Sequence, residues 1–358
     1  MKRIAPKVLL AMAVVVMVLA VSCKTASVDS LDKVAIDGQS ILTYWDDDAA
    51  AKNALIDYVE AVVDENSADY IPVENRIAVF DFDGTLFCET DPNYFDYCLL
   101  EYRVLDDPEY SAKASEFEKS VALKIRDQNE NGTSYSELPV EHGQAVASAF
   151  KGFTMEEFFD YIAEFMTTEM DSYEGMTRGE GYYLPMRQVV DYLLANDFRV
   201  YIITGTDRFI VRGLIGDTLG IPQSQIIGSD ESLVATGQGD TDGLDYTFTS
   251  EDTMVFGGEF IVKNLKLNKV MVIMQEIGEQ PVLSFGNSTG DASMAMYTIT
   301  NNEYRSLAFM LCCDDTVREN GNQSKADKMY DLCEQYGWVA VSMKNDWTTI
   351  YGDGVTRK

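Results

Sequence analysis

Histidine is almost missing from this chain: His142 is the only one in 358 residues. A His-rich zinc centre is therefore excluded. A Ser-His-Asp triad or histidine-based phosphoryl transfer would have to rest on that single residue. Cations are scarce too. Lys and Arg number 28 against 59 Asp and Glu, for a formal net charge of −31. A general nucleic-acid binder needs clustered cations for the phosphate backbone, and docking on anionic lipid needs a basic face. This composition favours neither. Internal repeats and low-complexity tracts are absent, and beyond the N-terminus no stretch is long and apolar enough to span a bilayer. Present instead are 46% hydrophobic and 24% charged residues, the balance of a folding globular chain long enough for one large or two medium domains. Chemistry in so acidic a protein is expected to run on carboxylates.

The N-terminus reads as an address. Lys2, Arg3 and Lys7 precede an unbroken apolar run from Val8 to Val21, which suits an export signal and is short for a membrane span. The run ends in Ala20-Val21-Ser22-Cys23. This resembles a bacterial lipobox, which implies cleavage before Cys23, lipidation of that cysteine and an exported protein held at a cell or outer membrane by acyl chains. Residues 1–22 are then the signal peptide and 23–44 a polar tether. With Cys23 lipidated, Cys88, Cys98, Cys312, Cys313 and Cys333 remain, an odd number. Cys88 and Cys98 are the one close pair with workable separation; burial as small apolar residues is the other reading.

Further on, Asp46, Asp47 and Asp48 precede a helical pattern through Leu55, Ile56, Val59, Val62 and Val63, and are expected to cap it. Ile77-Ala78-Val79-Phe80 is a short, continuously apolar run, as a buried parallel strand should be. Residues 87–180 carry helix signals and little strand pattern. Phe95, Cys98, Leu99 and Tyr102 share one helical face, Phe117, Val121 and Ile125 another, and Thr154 to Glu157 reads as a capping box. Strand–helix alternation then resumes, with strands expected at 200–203, 282–285, 307–312 and 338–342 and a hairpin around Gly237–Gly243. The expected architecture is α/β: a doubly wound, Rossmann-like parallel sheet from residues 45–86 and 181–358, with an all-helical cap, 87–180, inserted. Ligands bind such sheets beyond the carboxyl ends of the strands, where the polar clusters sit.

The first cluster is Asp81-Phe82-Asp83-Gly84-Thr85. Side chains two apart on an extended segment point the same way, so two carboxylates can face one pocket. One can attack phosphorus and form an aspartyl-phosphate; the other can protonate the leaving oxygen and later deprotonate a water. Gly84 permits a tight turn, and Thr85 begins a loop whose amides can hold phosphate oxygens. At this point the sequence resembles the haloacid dehalogenase superfamily, whose first motif is DxDGT. The resemblance implies that Asp81 is the nucleophile and Asp83 the general acid/base. It implies that Thr204, before Gly205 at the end of the second strand, hydrogen-bonds the phosphoryl group. It also implies a phosphate-neutralising lysine, for which Lys263, Lys266 and Lys269 compete. Lys269 is preferred because it opens the helix leading to the next strand. The fourth motif of the superfamily, GDxxxD, reads Gly286-Asn287-Ser288-Thr289-Gly290-Asp291 here. The implied cofactor is Mg²⁺, bound by Asp81, Asp83, Asn287 and Asp291, with Asn287 offering an uncharged oxygen in place of a carboxylate.

The helical insertion resembles the cap of the phosphoserine phosphatase-like branch, and the fourth-motif variant with the final Trp338-bearing strand resembles a bacterial group of haloacid dehalogenase-like hydrolases. The second acid, Asp83, favours ester hydrolysis, since dehalogenases have no alkoxide to protonate. The expected activity is Mg²⁺-dependent hydrolysis of a small phosphate ester. A phosphotransferase or mutase on the same site, and a non-catalytic surface lipoprotein, are the rivals. His142 and Arg208 are candidates for substrate contact or for packing and surface roles. Tyr94, Phe95 and Tyr97 are candidates for a lid or for core. Cys313, Asp314 and Asp315 follow a strand end, where they could border the pocket or cap a loop.

Overall fold

The computed structural model describes residues 36–358, so the proposed signal peptide and Cys23 lie outside the described residues. The chain opens with helices α1 (Gly38–Ile41) and α2 (Ala50–Val63) and strand β1 (Ile77–Phe80). Four helices follow: α3 (Phe95–Glu101, continued by a π turn over Tyr102–Asp106), α4 (Glu116–Asn131), α5 (Leu138–Ala149) and α6 (Met155–Met166). Then come β2 (Tyr173–Glu174), α7 (Leu184–Ala195), β3 (Arg199–Asp207), α8 (Arg208–Ile215), β4 (Ile226–Ala235) and β5 (Met254–Val262). The remainder is α9 (Leu267–Val272, continued by a π turn over Ile273–Ile277), β6 (Leu283–Gly286), α10 (Ala292–Ile299), β7 (Leu307–Cys312), α11 (Gln323–Tyr336), β8 (Val339–Ser342) and β9 (Thr356–Arg357).

Seven strands form one sheet in the order β5-β4-β3-β1-β6-β7-β8, parallel except for the antiparallel edge strand β5. This is the α/β, Rossmann-like sheet expected. β1 is wholly buried, and its residues alternate between two cores: Ala78 and Phe80 join one apolar cluster, Ile77 and Val79 the other. From β1 the chain lays β3 and β4 on one side and β6, β7 and β8 on the other. The carboxyl ends of β1, β3 and β6 therefore flank the point where strand order reverses. Beneath that point Phe80, Phe285 and Phe309 stack across adjacent strands, with centroids 4.2 and 4.9 Å apart. They make a stiff apolar floor directly under Asp81.

Several local expectations meet a different outcome. The cap of α2 is Ala49, with no side-chain bond; Asp47 instead takes the buried Lys52 ammonium at 2.8 Å, because a dry cation needs a counter-charge more than the helix end needs a cap. On α4, Val121 and Ile125 are buried but Phe117 is 42% exposed; Ser115 and Glu118 close an unforeseen capping box at its start. The Thr154–Glu157 box forms as read. Cys88 and Cys98 are both free: the Cys98 thiol donates to the Asp91 carbonyl, and the Cys88 sulfur lies against the Thr90 hydroxyl. The hairpin around Gly237–Gly243 is the β4–β5 pair. β5 also leans on the helices before it. Phe256 exchanges backbone bonds with Gly152 and Phe153, its ring packs on Phe158 at 4.7 Å, and Phe260 fills the space left by Gly143 on α5. Among the described residues no helix is long and apolar enough to cross a membrane.

Candidate active site

Asp81 follows β1 directly, and its amide extends the ladder by donating to Phe285 O at 2.8 Å. The chain then folds back on itself: the Phe82 carbonyl accepts the amides of Thr85, Leu86 and Phe87, and the Gly84 amide donates to Phe87 O. Gly84 sits at φ +71°, and a Cβ there would lie 1.8 Å from Asn287 Nδ2 and 2.6 Å from Glu89 Cδ. Only glycine fits this turn. The same bonds show where the loop differs from expectation. The Gly84 and Thr85 amides are spent on the turn rather than offered to a phosphate, and neither residue lines the cavity above it.

That cavity, of about 130 Å³, is lined by the catalytic candidates Asp81, Asp83 and Lys269 and by Asn287, Asp291 and Gly205. Thr204 stands behind the wall, fully buried; its hydroxyl accepts the Thr206 amide and its carbonyl accepts Asn264 Nδ2. Thr206 is the hydroxyl that reaches the carboxylates, donating to Asp83 Oδ2 at 2.7 Å. The register irregularity between Ile203 and Asp207 accompanies this exchange of places.

Lys269 is buried between two carboxylates, 2.5 Å from Asp81 Oδ1 and 2.7 Å from Asp291 Oδ1. Burial opposes its charge, but Asp291 and Asp81 outweigh that and hold the ammonium up at about 12. Of its competitors, Lys266 is exposed, while Lys263 reaches the cavity wall near Asp96. Asp291 is fully occupied. Its second oxygen accepts the amides of Asn287 and Ser288 and the Ser288 hydroxyl, so it positions Lys269 and the loop after β6.

Burial, then the charge of Asp291, pushes Asp81 above the usual carboxylate range, with Lys269 opposing. Burial, then Asp96, pushes Asp83 up as well, and here no ammonium is bonded to the carboxyl: Oδ1 has no partner and Oδ2 only the Thr206 hydroxyl. The geometry divides the pair. Asp81 has a cation at 2.5 Å, and Asp83 has only a hydroxyl. Sequence reasoning missed Glu89, Asp96 and Thr206. Glu89 lies on the cavity wall against the Asn287 carboxamide, and burial with the charge of Asp83 pushes it up to about 8. Thr206 had one usable signal, its position two residues past Thr204 on an extended strand.

The side chains around Asp81 that could ligate a cation are carboxylates and the Asn287 carboxamide, oxygen donors that suit a hard cation rather than zinc. Among the described residues no three acidic, histidine or cysteine groups already converge as a ligand shell.

The other candidates resolve into structure. His142 is buried, with Nε2 at 3.1 Å from Asp96 O and its ring on Tyr97, away from the main cavity. Arg208 pairs with Glu276 and Asp230. Asp314 accepts from Tyr330, Ser342 and the Lys344 amide, and Asp315 from Arg318. Tyr94 and Tyr97 line the cavity, whereas Phe95 is core.

Residues 78–296 match the family model of the haloacid dehalogenase-like hydrolases. No curated protein matches the chain. Among solved structures it is similar to a conserved protein of unknown function from Anaerococcus prevotii (14% identity, 81% of this chain and 91% of that one, TM-score 0.50). It is also similar to cytosolic 5'-nucleotidase IIIB bound to cytidine (10%, 83% and 86%, TM-score 0.48) and to a phosphoserine phosphohydrolase-like protein from Francisella tularensis (13%, 71% and 92%, TM-score 0.37).

Proposed function

The chain belongs to the haloacid dehalogenase-like hydrolases, and from that membership we propose a Mg²⁺-dependent phosphomonoester hydrolase acting through an aspartyl-phosphate. The observation that carries this reading is the unequal treatment of Asp81 and Asp83, one bonded to Lys269 and the other left with an unpartnered oxygen. Asp81, anionic beside Lys269, attacks phosphorus. As its oxygen bonds to phosphorus, the ester P–O bond breaks, and Asp83 gives its proton to the departing oxygen. Asp83, now anionic, takes a proton from water. The hydroxide formed attacks the phosphorus of the aspartyl-phosphate, breaks the bond to Asp81 and frees orthophosphate. Throughout, Lys269 balances the charge shared by Asp81 and the phosphoryl group. The Asp81 carboxylate, the Asp83 carbonyl and the Asn287 carboxamide would hold Mg²⁺, which supplies further neutralisation of phosphoryl charge when bound.

The same reading takes the helical stretch 87–180 as a cap that closes over a small phosphate ester, with Tyr94 and Tyr97 on the cavity wall as support. It also takes residues 1–22 as an export signal and Cys23 as a membrane anchor, supported by the lipobox-like sequence.

The test is hydrolysis of an aryl phosphate with Mg²⁺, with chelator, and by Asp81→Asn. Turnover should need the metal and fall roughly a thousandfold or more in the variant. A folded protein that hydrolyses none of several phosphate esters yet binds a phosphate mimic would replace this reading with a binding role.

A further inference from the structure

A dication beside Asp81 meets too little negative charge from the groups assigned to it so far. Asp81 and Asp291 share the Lys269 ammonium, and both Asp291 oxygens are committed to protein donors. Asn287 brings an oxygen but no charge. One further carboxylate faces the same space. Glu89 lies on the cavity wall, on the loop that leaves β1, with Cδ 2.6 Å and Oε2 2.8 Å from the point where Gly84 lacks a Cβ. Asn287 Nδ2 lies 1.8 Å from that same point, so the two side chains lie against each other. Among the described residues Glu89 forms no ion pair; Lys325 of α11 acts on it only through space. Beside it, Asp83 is 8% exposed, lines the same cavity and has one buried oxygen without a hydrogen-bond partner. A half-buried carboxylate next to two others, with only a neutral amide for company, is costly unless a cation joins it.

We propose that Glu89 is the carboxylate that completes the Mg²⁺ site of this protein, supplying from the β1 loop the charge that Asn287 does not supply from the β6 loop. This rests on the Mg²⁺-dependent reading above. Glu89 and Asn287 then act as a pair. In the metal-free protein the carboxamide holds the carboxylate, and on binding Glu89 turns to the ion while the Asn287 oxygen remains available as a neutral ligand. The pairing also accounts for Gly84: any Cβ would separate the two side chains.

The experiment is calorimetric titration of Mg²⁺ alone, without substrate, into the metal-free full-length protein, Glu89→Gln and the double variant Glu89→Gln/Asn287→Asp. Metal-free thermal melting confirms that each is folded. The expected result is a single site in the wild type, at least tenfold weaker binding in Glu89→Gln, and recovery of most of that loss in the double variant, where the carboxylate moves back across the pair. Should Glu89→Gln not fold, Glu89→Asp, which keeps the charge but draws it back by one methylene, is expected to bind Mg²⁺ severalfold more weakly. Wild-type affinity in Glu89→Gln or in Glu89→Asp overturns the assignment. So does a folded double variant that stays as weak as the single one. A wild type that binds no Mg²⁺ is a separate failure: it removes the metal-dependent reading and this inference with it.

Discussion

Glu319 and Asp83 are both buried carboxylates, and the fold treats them in opposite ways. Glu319, on the loop after β7, accepts the hydroxyls of Thr90, Tyr173 and Tyr351 and the Asn320 amide. It thereby ties the segment after β1, strand β2 and the C-terminal region to one point. Asp83 receives a single hydroxyl and keeps one oxygen bare. Residues 89 and 90 show the contrast side by side: Glu89 faces a cavity with no cation paired to it, while the Thr90 hydroxyl serves Glu319. A carboxylate given all its donors holds structure together, whereas one left short is poised for a ligand or a proton, at a cost in stability.

Substitutions at these residues break or sharpen this comparison. The largest effect is expected at the open carboxyl. Asp83→Asn should slow alkyl phosphate hydrolysis by roughly 10²–10⁴-fold, with a smaller loss for an aryl ester whose leaving group needs no proton. A steady-state comparison of the two esters checks it, and equal losses would deny Asp83 the acid role. At the satisfied carboxyl the order reverses. Glu319→Gln should destabilise the protein by about 2–4 kcal/mol in urea unfolding, because hydroxyls lose a charged acceptor, while activity per folded molecule is kept.

Glu231 on β4 supplies a third case: 3% exposed, with neither oxygen hydrogen-bonded. Burial, then the charges of Asp207 and Asp230, pushes it up to about 9. Its folded-state value thus lies above its unfolded one, so the unfolded chain releases a proton that the folded chain retains. Stability should fall as pH rises from about 4.5 to about 9. Glu231→Gln should flatten that slope and add at least about 1 kcal/mol at pH 8. Denaturant unfolding across this range checks the sign, and an unchanged slope would place the proton elsewhere. The smallest effect belongs to Lys266, exposed at φ +56°. Lys266→Asn, which tolerates that backbone, should change stability by less than about 0.5 kcal/mol and leave kcat/KM unaltered.

The parts of the site that were legible in the sequence are those set by contiguous residues. β1 declares itself because a strand covered on both faces must be apolar throughout, and Asp81, Asp83 and Gly84 follow it without a gap. Lys269 was separable from Lys263 and Lys266 by its place in the helix. Thr206 was hidden behind Thr204 because the two share a strand face, and the period alone does not say which of them reaches Asp83. Glu89 was hidden because its direction is set by a loop lying against the β6 loop, which no periodicity encodes; Asp96 was hidden because an acid in the first turn of α3 reads as helix N-terminal charge. Asp47 misled for a tertiary reason: its partner Lys52 is buried, and that pairing overrides the cap. Cys88 and Cys98 are near in sequence, yet each thiol has its own oxygen partner.

Strand β5 carries a consequence for anyone wishing to move the helical stretch after β1 between relatives. It belongs to the sheet through β4 and touches α8 through Phe209, yet it also packs on α5, α6 and the turn at Gly152–Thr154, and it runs straight into Lys263 on the cavity wall. The transplantable unit is therefore two pieces of sequence, the helical stretch after β1 and the strand some hundred residues further on. A graft of the helices alone would set a foreign surface against Phe256 and Phe260.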